Sequence, residues 1–330
     1  MRINTLVVGQ GIAGSLVAFM LHRKNVSCII IDPGYANTAS KVAAGMFTPV
    51  SGKRKIIHEN VLQQISFAID TYKEIGELIG KNILHLENIY EIPVSKEEQN
   101  ILDKRSGEEK FEKYIFPKTD KLAHIKQEFK SFEITNSGWV DCTLFINSFR
   151  EWLKQKDALT DDVFDYSELY IKDDFLQYKN IEAENIVFCE GYSASKNPFF
   201  LDEKIIPCKG DVLTIECKDF DPDYIVKKGG CYLVRSKENV FKAGSTYQWN
   251  NNDETLNEAV RKEIEDKLNA MLENEYTVTN HQSAIRPTTK DRELIAKQHS
   301  VYPQMFMLNG LGTKGILQGP WWAKYIVGLI

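Results

Sequence analysis

The sequence lacks three features that would narrow its function at once: a long apolar run, an excess of positive charge and closely spaced cysteines. No stretch reaches the roughly 20 continuous apolar residues of a membrane helix, so no membrane association is predicted. The 41 Lys and Arg against 46 Asp and Glu argue against a nucleic-acid partner. The six cysteines form no CxxC pair and the histidines do not stand at ligand spacing, which predicts reduced thiols, a cytoplasmic location and no metal site.

The chain is long and apolar enough for one large or two intermediate domains, since 43% of its 330 residues are hydrophobic. Its start predicts a strand over residues 3–8, a helix over residues 12–22 and a second strand in VSCIII. Gly9, Gly11 and Gly14 form a GxGxxG motif between the first strand and the helix. In that position the glycines allow a tight turn, close approach of a diphosphate and helix–strand packing.

This N-terminal unit predicts a dinucleotide site. Ile12 and Ala13 lie in the first helical turn, where unpaired N–H groups and the positive end of the helix dipole favour a diphosphate. Asp32 ends the second strand about 20 residues after the glycines, where a carboxylate accepts hydrogen bonds from a ribose diol. A carboxylate there also disfavours the 2′-phosphate of NADP. The unit by itself leaves FAD and NAD open.

The predicted secondary structure changes in the middle of the chain. A helix is predicted over residues 60–80, a Lys- and Glu-rich solvated insertion over 95–130, and another helix near Thr143. GDVLTIECK, DYIVKKGG, CYLVRSKE and NVFKAGST are short alternating segments separated by turn residues, which indicates an antiparallel sheet. An amphipathic helix follows in NNDETLNEAVRKEIEDKLNAML, and the chain ends with the strand MFMLNGLG and a last helix.

Two glycine- and alanine-rich segments outside this unit bear on the choice between FAD and NAD. An NAD enzyme of this length would usually continue with further strand–helix repeats, whereas this chain leaves its second strand for ASKVAAGMFTP. So many small residues indicate that the backbone passes close to a flat ligand. NGLGTKGILQGP, near the C-terminus, has the same character.

Four places in the chain together resemble one family, the FAD-dependent oxidoreductases of the D-amino-acid oxidase, glycine oxidase and sarcosine oxidase type. They are VVGQGIAGSLVAF with IIDPG; ASKVAAGMFTP; CYLVRSKENVFKAGST; and AIRPTTKDRELI followed by MFMLNGLGTKGILQGP. The likeness extends over nearly the whole length. It implies non-covalent FAD, because the cysteine that tethers flavin in some members has no counterpart between residues 281 and 320.

The resemblance implies an α/β fold with a Rossmann-type FAD-binding domain and a second domain with a mixed, largely antiparallel sheet. The FAD-binding domain is predicted from residues 1–75, 138–205 and 286–330, and the substrate domain from 76–137 and 206–285. Besides the N-terminal motif, the residues implied to approach FAD are Ala43, Ala44, Gly45, Met46, Gly191, Gly310, Gly312, Thr313, Lys314 and Gly315.

The same resemblance implies oxidation of a C–N bond in a small amino acid or secondary amine, with O2 reoxidising the flavin to give H2O2. Arg286, in the IRP segment, matches an arginine that binds the substrate carboxylate, and Tyr232 matches a tyrosine that supplements it. The alternative for Arg286 is a salt bridge at a domain interface, and that for Tyr232 an ordinary strand aromatic. No pattern predicts an oligomeric state.

Departures from the family pattern leave other functions open. The GTKGILQGP segment resembles the oxidase half of a bifunctional tRNA wobble-uridine enzyme more than it resembles glycine oxidase. A tRNA-modifying oxidase that acts on an aminomethyl-uridine is therefore one alternative. An amine dehydrogenase that uses a non-oxygen acceptor is a second, and a flavin-bound scaffold without turnover a third. SGKRK and His58 form a basic loop that is either solvated or able to meet an anionic ligand.

Overall fold

The computed structural model describes residues 1–330 and contains seven α-helices and twenty β-strands. The helices α1–α7 are Ile12–Arg23, Ala39–Val42, Val61–Ile79, Lys96–Ser106, Cys142–Gln155, Glu258–Met271 and Gly315–Leu329. The strands β1–β20 are Arg2–Val8, Cys28–Ile31, Met46–Phe47, Leu84–His85, Ile89–Ile92, Ile115–Lys118, Ser131–Ile134, Gly138–Val140, Leu159–Thr160, Leu169–Ile171, Leu176–Tyr178, Ile181–Phe188, Ile206–Glu216, Ile225–Lys228, Cys231–Lys237, Val240–Gly244, Gln248–Trp249, Thr277–Thr288, Ile295–Gln298 and Met305–Asn309. None of the helices is both long and apolar enough to cross a bilayer.

The first large sheet is built around β1, which pairs in parallel with β2 on one side and β12 on the other. β20 also runs parallel to β12, with Ile186 opposite Met305 and Phe188 opposite Met307. All five residues of β20 are buried, as expected for a parallel strand covered on both faces. The remaining strands of this sheet are β9, β10, β11 and β19.

The second large sheet contains nine strands in the order β17-β13-β16-β15-β14-β5-β7-β6, with β18 also paired to β13. Its strands are antiparallel except for β14 and β5, which run parallel. The alternating segments of the sequence form β13 to β16, as predicted. A sheet with a parallel centre and a second mixed sheet confirm the predicted fold class, while the residue ranges of the two domains stay a prediction.

Helices α1, α3, α5 and α7 contribute to one apolar core with the first sheet. Tyr72 of α3 is fully buried, and its hydroxyl donates a hydrogen bond of 3.0 Å to the carbonyl of Ile316 in α7. Predicted helices at residues 12–22 and 60–80 correspond to α1 and α3 within a residue or two. The Lys- and Glu-rich stretch over 95–130 is largely exposed, as predicted, and buries Leu102, Phe111, Ile115 and Ile125.

Candidate active site

A cavity of about 820 Å³ lies at the carboxyl ends of β1, β2 and β12 and is also lined by the mixed sheet. Val8, Ile31 and Cys189 line it where the parallel strands end, and Val212 and Tyr232 line it from β13 and β15. Ligands of open α/β sheets bind at this end of the strands. The cavity therefore joins the predicted dinucleotide site to the second sheet.

The glycine turn has the geometry that its sequence predicts. Gly9 has φ +94°, and a Cβ on it would lie 2.6 Å from the carbonyl oxygen of Cys189. A Cβ on Gly14 would lie 1.8 Å from the carbonyl oxygen of Gly9, so this glycine permits α1 to pack against the turn rather than lining the cavity. Gly11 precedes α1 without a side-chain cap, and the N–H of Ile12 donates to Ser40 Oγ at 2.9 Å.

Asp32 lines the cavity and is held by three donors from the protein. Its Oδ2 accepts the N–H of Gln10 at 2.8 Å, and its Oδ1 accepts the N–H of Gly34 at 2.7 Å. Arg150 of α5 donates to the same Oδ1 at 2.9 Å. Each carboxylate oxygen has two lone pairs, so Oδ2 keeps one for a ligand hydroxyl.

The segment after α2 forms another wall of the cavity, with Ala43, Ala44, Gly45 and Met46 all lining it. Gly45 has φ +77°, and a Cβ there would lie 2.0 Å from the carbonyl oxygen of Val140. A side chain at this position would therefore push the segment away from β8. The prediction that backbone passes close to a ligand here is compatible with this packing.

The C-terminal segment contributes Gly312, Thr313 and Gly315 to the lining, and Gly191 contributes from the turn after β12. Gly310 and Lys314 do not line the cavity. Gly310 has φ +69° and packs towards Thr289, whose Cγ2 would lie 3.0 Å from an added Cβ. The roles of these residues in cofactor binding stay predictions.

Arg286 projects from β18 into the cavity wall and is half-buried. Its two terminal nitrogens donate to the carbonyl of Thr246 at 3.1 Å and to Ser245 Oγ at 2.8 Å. Its guanidinium carbon lies 4.7 Å from the centre of the Tyr247 ring. Arg286 forms no salt bridge with any carboxylate of the protein, which removes the interface ion pair as an explanation for it.

Tyr232 also lines the cavity, and it lies near enough to Arg286 for the charge of the guanidinium to act on its phenol. Burial raises the pKa of its phenol well above the usual range, and the nearby charge of Arg286 opposes part of that rise. The hydroxyl therefore stays protonated at neutral pH and can donate a hydrogen bond. The structure brings Arg286 and Tyr232 to the same cavity, and their roles in binding a substrate stay a prediction.

Two cysteines line the cavity, Cys142 at the start of α5 and Cys189 after β12. Burial raises the pKa of Cys142 to about 12 and that of Cys189 further. A thiol at such a pKa is not a nucleophile at neutral pH.

The SGKRK loop and His58 do not line the cavity. Lys55 of this loop pairs with Glu91, and burial together with the charge of Lys314 lowers the pKa of His58. An anion-binding role for the loop stays a prediction.

Several residues that line the cavity or support its walls were not predicted from the sequence. Arg150 and Gln10 act on Asp32, and Ser245 and Thr246 hold Arg286. Ser245 and Thr246 lie at the end of the predicted strand NVFKAGST, and this position could have indicated that they belong to the site. Gly210 and Glu190 also line the cavity, and nothing in their local sequence distinguishes them from ordinary strand-end or strand residues.

The glycine turn, the strand-end carboxylate and the position of the cavity define a dinucleotide-binding α/β protein. A profile of the family described as FAD-dependent oxidoreductase matches residues 4–329, and the chain belongs to that family. This confirms the family and the cofactor class expected from the four sequence segments. The protein is therefore an FAD-dependent oxidoreductase.

Individual relatives are distant in sequence but similar over their whole length. Glycine oxidase of Bacillus subtilis (strain 168) is 23% identical over a match 354 residues long, gaps included, and the match covers 99% of this chain and 92% of the relative. The structure of glycine oxidase from Bacillus cereus ATCC 14579 has a TM-score of 0.84 at 17% identity, covering 99% of this chain and 94% of that one. Iminodiacetate oxidase from Chelativorans sp. BNC1 has a TM-score of 0.82 at 16% identity, covering 99% and 95%.

The residues present fit FAD. The side-chain-free turn at Gly9 and Gly11 leaves room for a diphosphate beside the N-terminus of α1. Asp32 retains acceptor capacity for a ribose hydroxyl, and the Ala43–Met46 segment supplies a small-residue wall for a flat ring system. FAD held there would supply a two-electron acceptor.

Proposed function

We propose that the protein oxidises the C–N bond of a small amino acid or secondary amine that carries a carboxylate, with O2 accepting the electrons from the reduced cofactor. Bound FAD would supply the hydride acceptor. The observation that carries the proposal is Arg286, a half-buried guanidinium at the cavity wall without a carboxylate partner from the protein. A cation held in this way favours an anionic ligand.

Arg286 has the donor capacity for this role. Its guanidinium carries five N–H groups, and hydrogen bonds to Thr246 and Ser245 use two of them. The remaining donors are available to the two oxygens of a carboxylate, which a guanidinium can bind in a bidentate manner. The contacts from Thr246, Ser245 and Tyr247 fix the side chain before a ligand arrives, which reduces the entropy lost on binding.

Tyr232 supplements Arg286 in this proposal as a neutral donor. Its raised pKa keeps the proton on the phenol, so it can donate to a carboxylate oxygen without adding negative charge. The two donors together would orient the carboxylate end of a substrate. Apolar residues, among them Val42, Ala44 and Leu311, also line the cavity.

A substrate screen tests the proposal. Purified holoenzyme is mixed anaerobically with small amino acids, N-methyl amino acids, their amides, and a tRNA that carries an aminomethyl-uridine, and the flavin absorbance near about 450 nm is followed. We expect bleaching by one or more carboxylate-bearing amines and weak or no bleaching by their amides. Bleaching by the tRNA alone would replace the proposal with the tRNA-modifying alternative.

The electron acceptor is tested on the same substrate in air. We expect one H2O2 for each substrate oxidised. Flavin that is reduced by substrate but reoxidised only by a quinone or another carrier would identify a dehydrogenase instead.

A further inference from the structure

Gly210 lies in the middle of β13, where the backbone itself does not require glycine. It has no positive φ, and its strand is paired with β18, where Ala284 lies opposite Gly210. Glycine inside a strand weakens it, and often marks a place where another group approaches closely. The reason for glycine at this position must therefore come from its surroundings.

The group that approaches Gly210 is the guanidinium of Arg286. A Cβ built on Gly210 would lie 2.1 Å from one terminal nitrogen, 2.2 Å from the other and 2.3 Å from the guanidinium carbon. Such distances are far inside van der Waals contact, so the guanidinium occupies the space that any side chain at position 210 would fill. Gly210 also lines the cavity.

The next residue of the strand fixes the acceptor of the same arginine. The N–H of Asp211 donates to Thr246 Oγ1 at 3.0 Å, and the carbonyl of Thr246 accepts from Arg286 at 3.1 Å. Asp211 is fully buried, and its Oδ2 lies 2.8 Å from Nε2 of His281 on β18. The backbone of β13 at this point is therefore held by β16 on one side and β18 on the other, which resists a shift away from a new Cβ. The flexible arginine side chain is the part that would have to move.

We propose that Gly210 is a positioning residue for Arg286: the absence of a side chain there lets the guanidinium lie where it can bind a carboxylate, and so makes the site selective for acids over amides. The inference rests on the proposed function, because it assumes that Arg286 binds a carboxylate. It adds that the preference for acids over amides depends on Gly210 of β13 as well as on Arg286.

The test is Gly210→Ala in the holoenzyme, with acetate and acetamide as a matched acid and amide. Binding is measured as perturbation of the flavin spectrum, which requires no turnover. We expect the Kd for acetate to rise by about 10- to 100-fold, the scale of misplacing a binding group by an ångström, while the Kd for acetamide and the FAD content stay unchanged. Gly328→Ala is the matched control, since a Cβ there meets nothing within 4 Å.

Two further variants separate the possible outcomes. In an Arg286→Ala background, Gly210→Ala should add almost nothing to the loss of acetate binding, because the group it displaces has gone. If Gly210→Ala alone is unfolded, Gly210→Ala with Arg286→Ala should fold, since the space is free again. Failure of both to fold would overturn the inference.

The inference and the proposed function fail in different ways. If Arg286→Ala loses the preference for acetate but Gly210→Ala keeps it, the inference about Gly210 is wrong and the proposed function stands. If the parent protein binds acetate no better than acetamide, and Arg286→Ala changes neither, Arg286 is not a carboxylate site and both are wrong.

Discussion

The guanidinium of Arg150 donates two hydrogen bonds to Asp32, one to the side-chain Oδ1 of Asp32 at 2.9 Å and one to the main-chain carbonyl of Asp32 at 2.7 Å. The Arg150 side chain is only 9% exposed, and it also pairs with Asp161, whose side chain is 54% exposed. A buried guanidinium thus fixes both the backbone and the carboxylate at the end of β2. Asp32 meets a ligand as a carboxylate whose orientation is already set.

Asp32→Ala should weaken FAD binding by about 1 to 3 kcal/mol, the scale of a charge-assisted hydrogen bond, without changing the reaction of the bound flavin. The measurement is titration of the apoprotein with FAD. Asp161→Asn is the control, because it removes the other carboxylate of Arg150 and does not line the cavity. Equal FAD affinity in Asp32→Ala and the parent would mean that this carboxylate does not contact the cofactor.

Gly11→Val should abolish FAD binding while leaving the protein folded. Gly11 lines the cavity, and a Cβ there meets only Ser40 Oγ, at 3.1 Å, so the new side chain enters ligand space. Gly14→Val should behave differently and fail to fold, since its Cβ would lie 1.8 Å from the carbonyl of Gly9. Circular dichroism and flavin content measure the two effects. One FAD per chain in Gly11→Val would refute the assignment of the turn.

Arg286→Ala should lower kcat/KM for a carboxylate substrate by roughly 30-fold to several thousandfold, equivalent to about 2 to 5 kcal/mol. Arg286→Lys should be less damaging, because it keeps the charge and loses only the bidentate geometry. The kcat/KM for the amide of the same substrate is already low in the parent, and Arg286→Ala should lower it little further. Steady-state kinetics on the acid and amide, with FAD content as control, make the comparison. Loss of FAD or of folding in Arg286→Ala would instead indicate a structural arginine.

Acid precipitation should release the flavin into the supernatant. The two thiols that line the cavity, Cys142 and Cys189, have pKa values raised by burial and are not poised to attack the cofactor. The absorbance of supernatant and pellet measures the partition. Flavin that stays with the protein pellet would show a covalent link.

The contribution of Glu190 to the stability of the folded state should decrease as the pH rises. Burial raises the pKa of this carboxyl, which accepts hydrogen bonds from Tyr166 and from Asn197 at 2.8 Å. Because the folded-state pKa is the higher one, its contribution to stability is full below the unfolded-state pKa and is lost as the pH rises through the folded-state value.

Glu190→Gln keeps the size and removes this titration, so its melting temperature should fall less than that of the parent as the pH rises above the ordinary carboxyl pKa of 4.5. Glu109→Gln, at an exposed site, is the control. Parallel pH profiles for Glu190→Gln and the parent would contradict the prediction.

Local patterns predicted the parts of the site that depend on neighbouring residues. The turn at Gly9 and the acid at Asp32 follow from one strand–helix–strand unit, and the geometry there agrees with the sequence. Arg150 lies 118 residues from Asp32 on an amphipathic helix, where nothing in the pattern marks it as a partner of the strand end. Gly210 was missed for a similar reason, since its steric role exists only when β13 and β18 are paired.

The central strand of the first sheet also has a consequence for biosynthesis. β1 acquires its neighbour β12 only after much of the chain has been made, and β20 and α7 complete the same layer last. Pairings between distant segments give a high contact order and slow folding. During translation the glycine turn leaves the ribosome long before the strands that position it. We therefore expect a nascent chain that lacks β12 and β20 to have no finished cofactor pocket and to bind FAD only after these strands have been made.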